Sequence, residues 1–258
     1  MALQPEFGAL GGVLLIESVG RTPWAVETAA SGLVAPMLQL SGLPRPLAML
    51  STESRPIARF LVPSGGALID AGDHVRLLRC DDRVKPISTQ FAYPFGQFEG
   101  DLLASSELLA DVDPGDLRAW RLLGIVAEAM AAMDGALNLT LGYVRTRVQF
   151  GRAIGSFQAV QHRLAEVTAM LHGARLMLYR AAVNDIDFVG SAAIITRDVV
   201  ERTIYETNQF HGAIGLTLEY PLHLWTYRLR ILQFELAEAI AGSRAWSVRA
   251  VAGERNEP

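Results

Sequence analysis

A long apolar segment, from residue 113 to about residue 145, constrains this chain more than any other feature of its sequence. It begins with Asp113-Pro114, which marks a helix start because Asp caps free amide groups and Pro fits the first helical position. The residues that follow are apolar on nearly every face, and such a helix has to be surrounded by protein. Glu128 and Asp134 interrupt the run before it reaches the roughly 18 uncharged residues that would span a bilayer. We therefore expect a helix buried in the core of a bundle.

Three further helices are predicted after this one. Ser156 can cap a helix whose apolar residues recur about every 3.5 positions, the spacing of a bundle seam. These apolar residues are Val160, Leu164, Val167, Leu171, Ala174 and Leu178. A third helix is expected from about 188 to 210, and a fourth from Pro221 to a stop at Gly242. Residues 113–245 are thus predicted to form an antiparallel four-helix bundle.

The part of the chain before the bundle is predicted to be smaller and mixed. Residues 1–50 combine apolar runs with Gly and Pro, which favours short helices at roughly 8–18 and 22–40. Residues 51–112 contain short apolar runs separated by Pro, Gly and Asp, with a Val-Pro-Ser-Gly-Gly hairpin signal. The expected fold class is α+β, mainly α. A reduced N-terminal helical segment and a small antiparallel β region precede the C-terminal four-helix bundle, and a tail follows at 246–258.

Composition narrows the classes of protein to which this chain can belong. The net charge is -4, the pI is about 5.8 and no basic stripe occurs, so nucleic acid is not an expected partner. Cys80 is the only cysteine. This excludes disulfide frameworks and Cys-based zinc sites, and it favours a cytoplasmic location. The apolar run at 7–16 follows no basic residue and so differs from a signal peptide; no membrane partner is expected. No Glu-x-x-His pair, nucleophile elbow or P-loop occurs, and no metal site is predicted.

Two segments of the bundle carry recognisable motifs. Residues 143–183 contain a Tyr, then Arg-x-x-Phe-Gly, a loop, and Phe-Gln at the start of a long helix. Residues 209–223 read QFHGAIGLTLEYPLH, close to a Gln-x-x-Gly-Gly-x-Gly…Glu-Tyr-Pro pattern, with Ala213 in place of the second Gly. In this order and separation, the two segments resemble the C-terminal domain of the acyl-CoA dehydrogenase family.

The resemblance implies a cofactor, FAD, and residues that contact it. Members of this family assemble as a dimer of dimers, in which the loop after the first bundle helix reaches the flavin held by a neighbouring subunit. Arg147 would lie against the pyrophosphate, where a planar, permanently charged donor binds well. The implied cofactor-binding residues are Arg147, Gln149, Phe150, Ile154, Gln158, Gln209, Phe210, His211 and Gly212.

The first half of the chain departs from the family pattern. The family's β-domain flavin signature, Thr-Glu-Pro followed by Gly-Ser-Asp, is missing, although Ser51-Thr52-Glu53 looks like a remnant of it. The Trp-containing strand that covers the flavin face has no obvious counterpart. We therefore expect the flavin to be held mainly by another subunit.

The catalytic base of the family also lacks an obvious counterpart. This carboxylate has to reach the α carbon of the acyl group. One family position falls on Leu236, which Glu235 and Glu238 flank, and the alternative position falls on Arg121, two turns before Glu128. No catalytic residue is assigned from the sequence, and the three glutamates remain candidates.

The sequence thus supports one leading hypothesis and two alternatives. The leading hypothesis is the non-catalytic subunit of a bacterial heterotetrameric acyl-CoA dehydrogenase. Such a complex would form an α,β-double bond in an acyl-CoA thioester, including bulky or steroid-derived ones, in lipid metabolism. The first alternative is a self-sufficient homo-oligomeric dehydrogenase with a displaced base. The second is a non-catalytic scaffold or regulatory bundle.

Overall fold

The structure, a computed structural model, describes residues 8–90, 92–183 and 186–253, with side chains as far as residue 241. The helices are α1 (Gly8–Gly20), α2 (Ala35–Met37, which continues a π-helical turn at Ala30–Val34), α3 (Pro114–Thr146), α4 (Gln158–Val183), α5 (Val189–His211) and α6 (His223–Gly253). The strands are β1 (Leu47–Ser51), β2 (Ile57–Arg59), β3 (Gly66–Asp70), β4 (Val75–Arg79), β5 (Val84–Ile87), β6 (Phe95–Phe98), β7 (Glu107–Leu109), β8 (Val148–Gln149) and β9 (Arg152–Ala153).

Helices α3 to α6 form the predicted bundle around one apolar core. The Asp113 carboxylate caps α3, because it accepts hydrogen bonds from the amides of Gly115 at 2.7 Å and Asp116 at 3.1 Å. Of the predicted α4 seam, Val160 is partly buried and the other five residues are buried. Val13 and Ile16 of α1 are fully buried in the same cluster, so α1 completes the core of the bundle.

α3 is the central helix of this core. Among the described helices it alone is long and apolar enough to cross a membrane when judged by length and composition. In the folded chain, 83% of its most apolar window is buried by other parts of the protein. The apolar surface of α3 is therefore used for packing within the chain, as in the core helix of a bundle.

The predicted boundaries of two helices are wrong. α6 continues through Gly242 to Gly253, so the predicted tail is helical up to that residue, and residues 254–258 lie outside the described part. An interior glycine costs a helix only about 1 kcal/mol relative to alanine, which does not force a stop. The predicted helix at 22–40 is reduced to residues 30–37. Pro23 lacks an amide hydrogen, and the Arg228 guanidinium binds the carbonyl oxygens of residues 20, 22 and 24, which satisfies them without a helix.

The β region forms two sheets rather than one antiparallel set. One has the order β1-β3-β4-β7 and the other β2-β6-β5. All of these pairs are antiparallel except β1 with β3, which run parallel. The prediction of a purely antiparallel region is therefore wrong for this pair. The chain leaves β1, passes through β2 in the other sheet and returns to β3 in the original direction, as a crossover connection requires. This path brings β2 against the bundle.

Candidate functional site

A short hairpin follows α3 and carries the first predicted contact segment. Arg147 ends the helix with its amide bonded to the Tyr143 carbonyl at 2.8 Å, and β8 then pairs with β9. The turn is Phe150-Gly151, with φ of 54° and 80°. Two-residue hairpins of this kind favour Asn-Gly, and a phenylalanine in the left-handed region costs about 1–2 kcal/mol. The positive φ of Phe150 therefore strains the turn. The Phe150 side chain is 92% exposed, so it makes little contact within the chain that could offset this strain.

The other predicted residues of this segment lie beside Phe150. Arg147, Gln149 and Gln158, the first residue of α4, are exposed, and Ile154 is half-buried. The Ile154 amide donates to the Arg147 carbonyl at 2.8 Å, which closes the base of the hairpin. The structure thus places the five residues predicted here within one exposed hairpin and the helix start that follows it.

The second predicted segment lies at the end of α5. Gly212 has φ of 64° and its amide bonds back to the carbonyls of residues 208 and 209. Gln209 and Gly212 are exposed, and Phe210 is half-buried. His211 differs, because only 4% of it is exposed. Its Nδ1 donates to the Thr207 carbonyl at 2.8 Å, and its buried Nε2 has no hydrogen-bond partner among the described residues.

His211 joins the two predicted contact segments. Its ring stacks on Tyr143, in the last turn of α3, with centroids 4.4 Å apart, and it also contacts Tyr220 at 4.8 Å. Burial lowers the pKa of His211, although the hydrogen bond to Thr207 opposes this, and the neutral ring suits these surroundings. The isolated chain therefore buries this ring between the segments, and a direct contact of His211 with the cofactor stays a prediction.

Two of the candidate bases meet at one buried arginine. Arg59, on β2, donates from Nη1 to Glu128 Oε1 at 3.1 Å, and its Nη2 binds the other oxygen of that carboxylate. From the opposite side, its Nε and Nη2 bind the two oxygens of Glu235 at 2.8 Å and 3.0 Å. The guanidinium also lies 4.8 Å from the centre of the Tyr93 ring. Arg59, Glu128 and Glu235 together are named the Arg59 cluster below.

The charges of the Arg59 cluster are shielded from water. The side chains of Arg59, Glu128 and Glu235 are 11%, 7% and 17% exposed. Burial raises the pKa of Glu128, and the charge of Arg59 only partly opposes the rise. Burial lowers the pKa of Arg59, but the two carboxylates outweigh this and hold it well above its usual range. Each carboxylate thus serves as a counter-ion to the same guanidinium.

A small cavity adjoins the Arg59 cluster. Arg121 and Glu27 line it together with the three cluster residues, and the space measures about 40 Å³. This volume admits a few water molecules, whereas pockets for organic ligands usually measure about 300–1,000 Å³. The two family positions for a base therefore differ in their surroundings. Arg121 lines the cavity, and Leu236 is fully buried in the core beside Glu235.

One candidate base lies apart from the Arg59 cluster, and one residue of the cluster was not predicted from the sequence. Glu238 is exposed on α6, away from the cavity lining. Arg59 was missed, since it is 69 residues from Glu128 and 176 residues from Glu235 along the chain. No local spacing links these positions. The only signal was an arginine in a short apolar strand, which is a common arrangement at a strand end.

The sequence of the bundle is similar to sequences of known proteins. Residues 119–236 match the family described as acyl-CoA dehydrogenase, C-terminal domain. Acyl-CoA dehydrogenase IpdE2 of Mycobacterium tuberculosis is 34% identical over 117 residues, which are 45% of this chain and 36% of that protein. The chain thus covers only about a third of the length of the curated relatives that it matches, here 36% and 30% for the first two.

Solved structures extend the similarity in fold beyond the bundle. A chain of the ChsE4-ChsE5 complex from Mycobacterium tuberculosis aligns with a TM-score of 0.67 and 22% identity, over 100% of this chain and 85% of that one. A chain of the Tcur3481-Tcur3483 steroid ACAD aligns with a TM-score of 0.65 and 19% identity, over 93% of this chain and 83% of that one. At these identities the similarity concerns the fold.

Proposed function

We propose that this chain, whose residues 119–236 match the C-terminal domain of the acyl-CoA dehydrogenase family, is the non-catalytic subunit of a flavin-dependent acyl-CoA dehydrogenase. It would pair with a second, catalytic chain in a dimer of dimers. The assembly would oxidise an acyl-CoA thioester to the α,β-unsaturated product. The observation that carries the proposal is the Arg59 cluster, which holds both Glu128 and Glu235.

The Arg59 cluster argues against a base on this chain. A general base needs a free carboxylate within hydrogen-bond reach of the proton that it removes. Here each carboxylate accepts two hydrogen bonds from one guanidinium, and the adjoining cavity of about 40 Å³ has no room for an acyl group. Freeing either carboxylate would require breaking a buried ion pair, which costs about 3–5 kcal/mol. We infer that the partner chain supplies the base.

The exposed hairpin supports a role in binding the cofactor. The FAD diphosphate is anionic, and Arg147 is an exposed guanidinium with no ion-pair partner among the described residues. Gly212 leaves open space where a side chain would begin, so a ligand can approach the backbone there. When bound, the flavin would accept the hydride that leaves the β carbon. The residues of this chain would position the cofactor through Arg147, Phe150 and the segment that contains Gly212.

The partner and the substrate class are proposed by analogy with the similar structures. Both are complexes named for two different chains, and one is described as a steroid ACAD. By analogy, the partner of this chain is a second acyl-CoA dehydrogenase subunit, and its substrate is a bulky, steroid-derived acyl-CoA. We place the complex in bacterial lipid metabolism in the cytoplasm.

Purification of the chain alone and with a co-expressed second subunit tests the proposal. We expect a colourless, inactive chain alone and a yellow, active complex, whose turnover persists in Glu128→Gln and Glu235→Gln because neither residue acts as the base. A yellow, active lone chain that loses turnover in either variant would instead establish the self-sufficient enzyme. If no pairing gives a complex with flavin absorbance, the result would favour the non-catalytic scaffold or regulatory bundle.

Arg147→Ala tests the cofactor contact. The variant should lower flavin occupancy of the assembled complex about tenfold or more at limiting flavin, because a charge-assisted hydrogen bond contributes about 1.5–3 kcal/mol. Arg145→Ala removes the same charge from an exposed position in the last turn of α3 and serves as the control. Occupancy is measured from the ratio of flavin to protein absorbance. Equal occupancy in the two variants would refute the role of Arg147.

A further inference from the structure

The hairpin after α3 has two faces that carry different side chains. Its register pairs Gln149 with Arg152 and Val148 with Ala153, and the bond from the Ile154 amide to the Arg147 carbonyl extends it by one pair. Successive side chains of a strand point to opposite faces, and directly paired residues share a face. Arg147, Gln149, Arg152 and Ile154 therefore lie on one face, named the arginine face below.

The arginine face has a strong positive charge. No acidic residue occurs between Asp134 and Glu166 in the sequence. Both Arg147 and Arg152 are exposed, and neither forms an ion pair with any residue that the structure describes. Two guanidinium groups on a hairpin this short repel one another unless an anion lies between them. Such a pair is a common arrangement for binding phosphate groups, because each guanidinium offers planar, paired donors.

Arg152 is held in place without being neutralised. Its guanidinium lies 4.0 Å from the centre of the Phe157 ring, and Phe157 also meets the Phe150 ring edge-on at 6.2 Å. Stacking on an aromatic ring positions a guanidinium and leaves the N–H groups in its plane free to donate. Phe150, in the turn, meets the edge of the Phe157 ring and is otherwise exposed. The charge on the arginine face is thus preorganised, which lowers the cost of ordering it on binding.

We propose that Arg152 and Arg147 jointly bind the diphosphate of a nucleotide, with the Gln149 amide as a neighbouring donor. The inference rests on the proposed function and deepens it, because Arg152 joins Arg147 as a second cation that binds the diphosphate. Two ligands of this enzyme class carry a diphosphate, the flavin dinucleotide and coenzyme A. Both ligands would present the same anionic diphosphate to the two arginines, and the experiment below distinguishes between them.

The test compares Arg152→Gln with Arg145→Gln in the assembled complex. Arg145 is exposed and also carries no ion pair among the described residues, but it lies on α3 outside the hairpin. Flavin and coenzyme A affinities are each measured by titration of the flavin-free complex over a series of NaCl concentrations. Arg152→Gln should weaken one of the two affinities about tenfold. It should also make that affinity less sensitive to salt, as loss of a charged contact requires. Arg145→Gln should change neither.

Two further variants separate a charge contact from simple packing. Arg152→Lys keeps the charge but not the planar, paired donors, so it should keep the full salt dependence and have an affinity between those of the parent and Arg152→Gln. Phe157→Leu removes the stacking partner and keeps the guanidinium, so its salt dependence should also remain. If Arg152→Lys is as weak as Arg152→Gln and the salt dependence is unchanged in both, the role of Arg152 is packing and the inference is wrong.

The outcomes distinguish the inference from the proposed function. Weakened flavin binding identifies the flavin diphosphate, and weakened coenzyme A binding identifies that of coenzyme A. A yellow, active complex in which Arg152→Gln changes neither affinity overturns the inference and leaves the proposed function intact. A complex that never binds flavin overturns the proposed function. In that case a titration of the lone chain with inorganic diphosphate, followed by NMR, still decides whether Arg152 binds this anion.

Discussion

Arg59 is a single cation between two buried carboxylates, and this balance determines how the chain responds to its loss. Replacement of one partner in a buried ion pair costs about 3–5 kcal/mol, because the charge left behind is neither hydrated nor paired. In Arg59→Met the side chain keeps a similar length, but Glu128 and Glu235 lose the guanidinium that binds them both. We therefore expect the free energy of unfolding to fall by about 3–5 kcal/mol near neutral pH.

The loss in Arg59→Met should depend on pH in a definite direction. Burial already raises the pKa of Glu128. A carboxyl whose pKa is higher in the folded than in the unfolded chain contributes stability at low pH, and this contribution is lost as pH rises through the folded pKa. Removal of Arg59 raises that pKa further. The destabilisation should thus be larger at about pH 8 than at about pH 5. Urea denaturation at both values measures it.

Arg79→Met is the matched control for this prediction. Arg79 pairs with Glu107 at 3.2 Å, but the two side chains are 61% and 55% exposed. Exposed ion pairs contribute about 0–1 kcal/mol, so this variant should be nearly as stable as the parent at both pH values. A pH-independent loss in Arg59→Met, or an equal loss in both variants, would contradict the account of the Arg59 cluster.

At the scale of residues, the sequence identified the carboxylates but not their role. Glu128 and Glu235 could be picked out because they lie near positions where the family places a base. The two carboxylates lie on helices, and their charges are neutralised by Arg59, which lies on β2 in a distant part of the sequence. Likewise, the motif around His211 indicated a contact residue, whereas its burial against Tyr143 depends on how α3 and α5 pack.

At the scale of elements, two of the glycines of α3 allow the packing of this helix to be tested by matched substitutions. A Cβ at Gly135 would overlap the indole ring of Trp225, whose Nε1 donates to the Arg21 carbonyl at 3.1 Å. Gly135→Ala should lower the free energy of unfolding by about 1–3 kcal/mol, as overpacked cores do. A Cβ at Gly142 meets nothing within 4 Å. Gly142→Ala should therefore raise stability by about 0.5–1 kcal/mol through helix propensity alone.

Thermal or chemical unfolding of both glycine variants decides the point. If Gly135→Ala were as stable as Gly142→Ala, Trp225 would have to move freely, and the close contact between α3 and α6 would be contradicted. The comparison holds the substitution and the helix constant, so the difference between the variants reports only the space around each glycine.

The hairpin of β8 and β9 should show a conflict between stability and binding. Asn tolerates the left-handed conformation that Phe150 adopts. Phe150→Asn should thus raise the stability of the isolated chain by up to about 1–2 kcal/mol while weakening flavin retention in the complex. Val148→Asn, on the opposite face of the hairpin, is the control and should leave retention unchanged. Lower stability together with unchanged retention in Phe150→Asn would contradict the assigned role of this ring.

The sequence predicted elements well where their signals are local. The cap at Asp113 and the expected range of 188–210 gave the bounds of α3 and α5 to within about two residues. The apolar seam placed α4 without defining its end, because periodicity acts over a few positions. The parallel pairing of β1 with β3 was not predicted, since it depends on where β2 lies in the second sheet. The continuation of α6 past Gly242 also depends on tertiary packing rather than on one residue.

At the scale of the whole molecule, α1 and the bundle share one core and one charged network. Glu17, 2% exposed, accepts a hydrogen bond from Arg175 at 2.8 Å and another from the Tyr179 hydroxyl at 2.6 Å. Arg175 also binds Asp134 at 2.6 Å, so one network joins α1, α3 and α4. These contacts hold the N-terminal helix against the bundle, and the Arg59 cluster joins β2 to α3 and α6.

The proposed assembly has a stoichiometry that can be measured. If Glu128 and Glu235 stay bound to Arg59 in every copy of this chain, only the partner subunits can perform turnover. We then expect one flavin per pair of unlike chains in a complex of two copies of each. A single-turnover burst should likewise give one equivalent of product per pair. Flavin absorbance and rapid-quench assays against the total protein concentration measure both values. Two equivalents per pair would mean that this chain also has a working site.

The Arg59 cluster also restricts the order in which its residues can be replaced during evolution. Loss of Arg59 first leaves two buried anions, which is the costly step. Loss of either carboxylate first leaves a balanced pair, after which Arg59 can be replaced along with the remaining partner. A lineage that carries this cluster therefore reaches a free carboxylate here only by a path of several ordered steps. The ion pairs that hold Glu128 and Glu235 thus also prevent a single substitution of Arg59 from freeing a carboxylate without a large loss of stability.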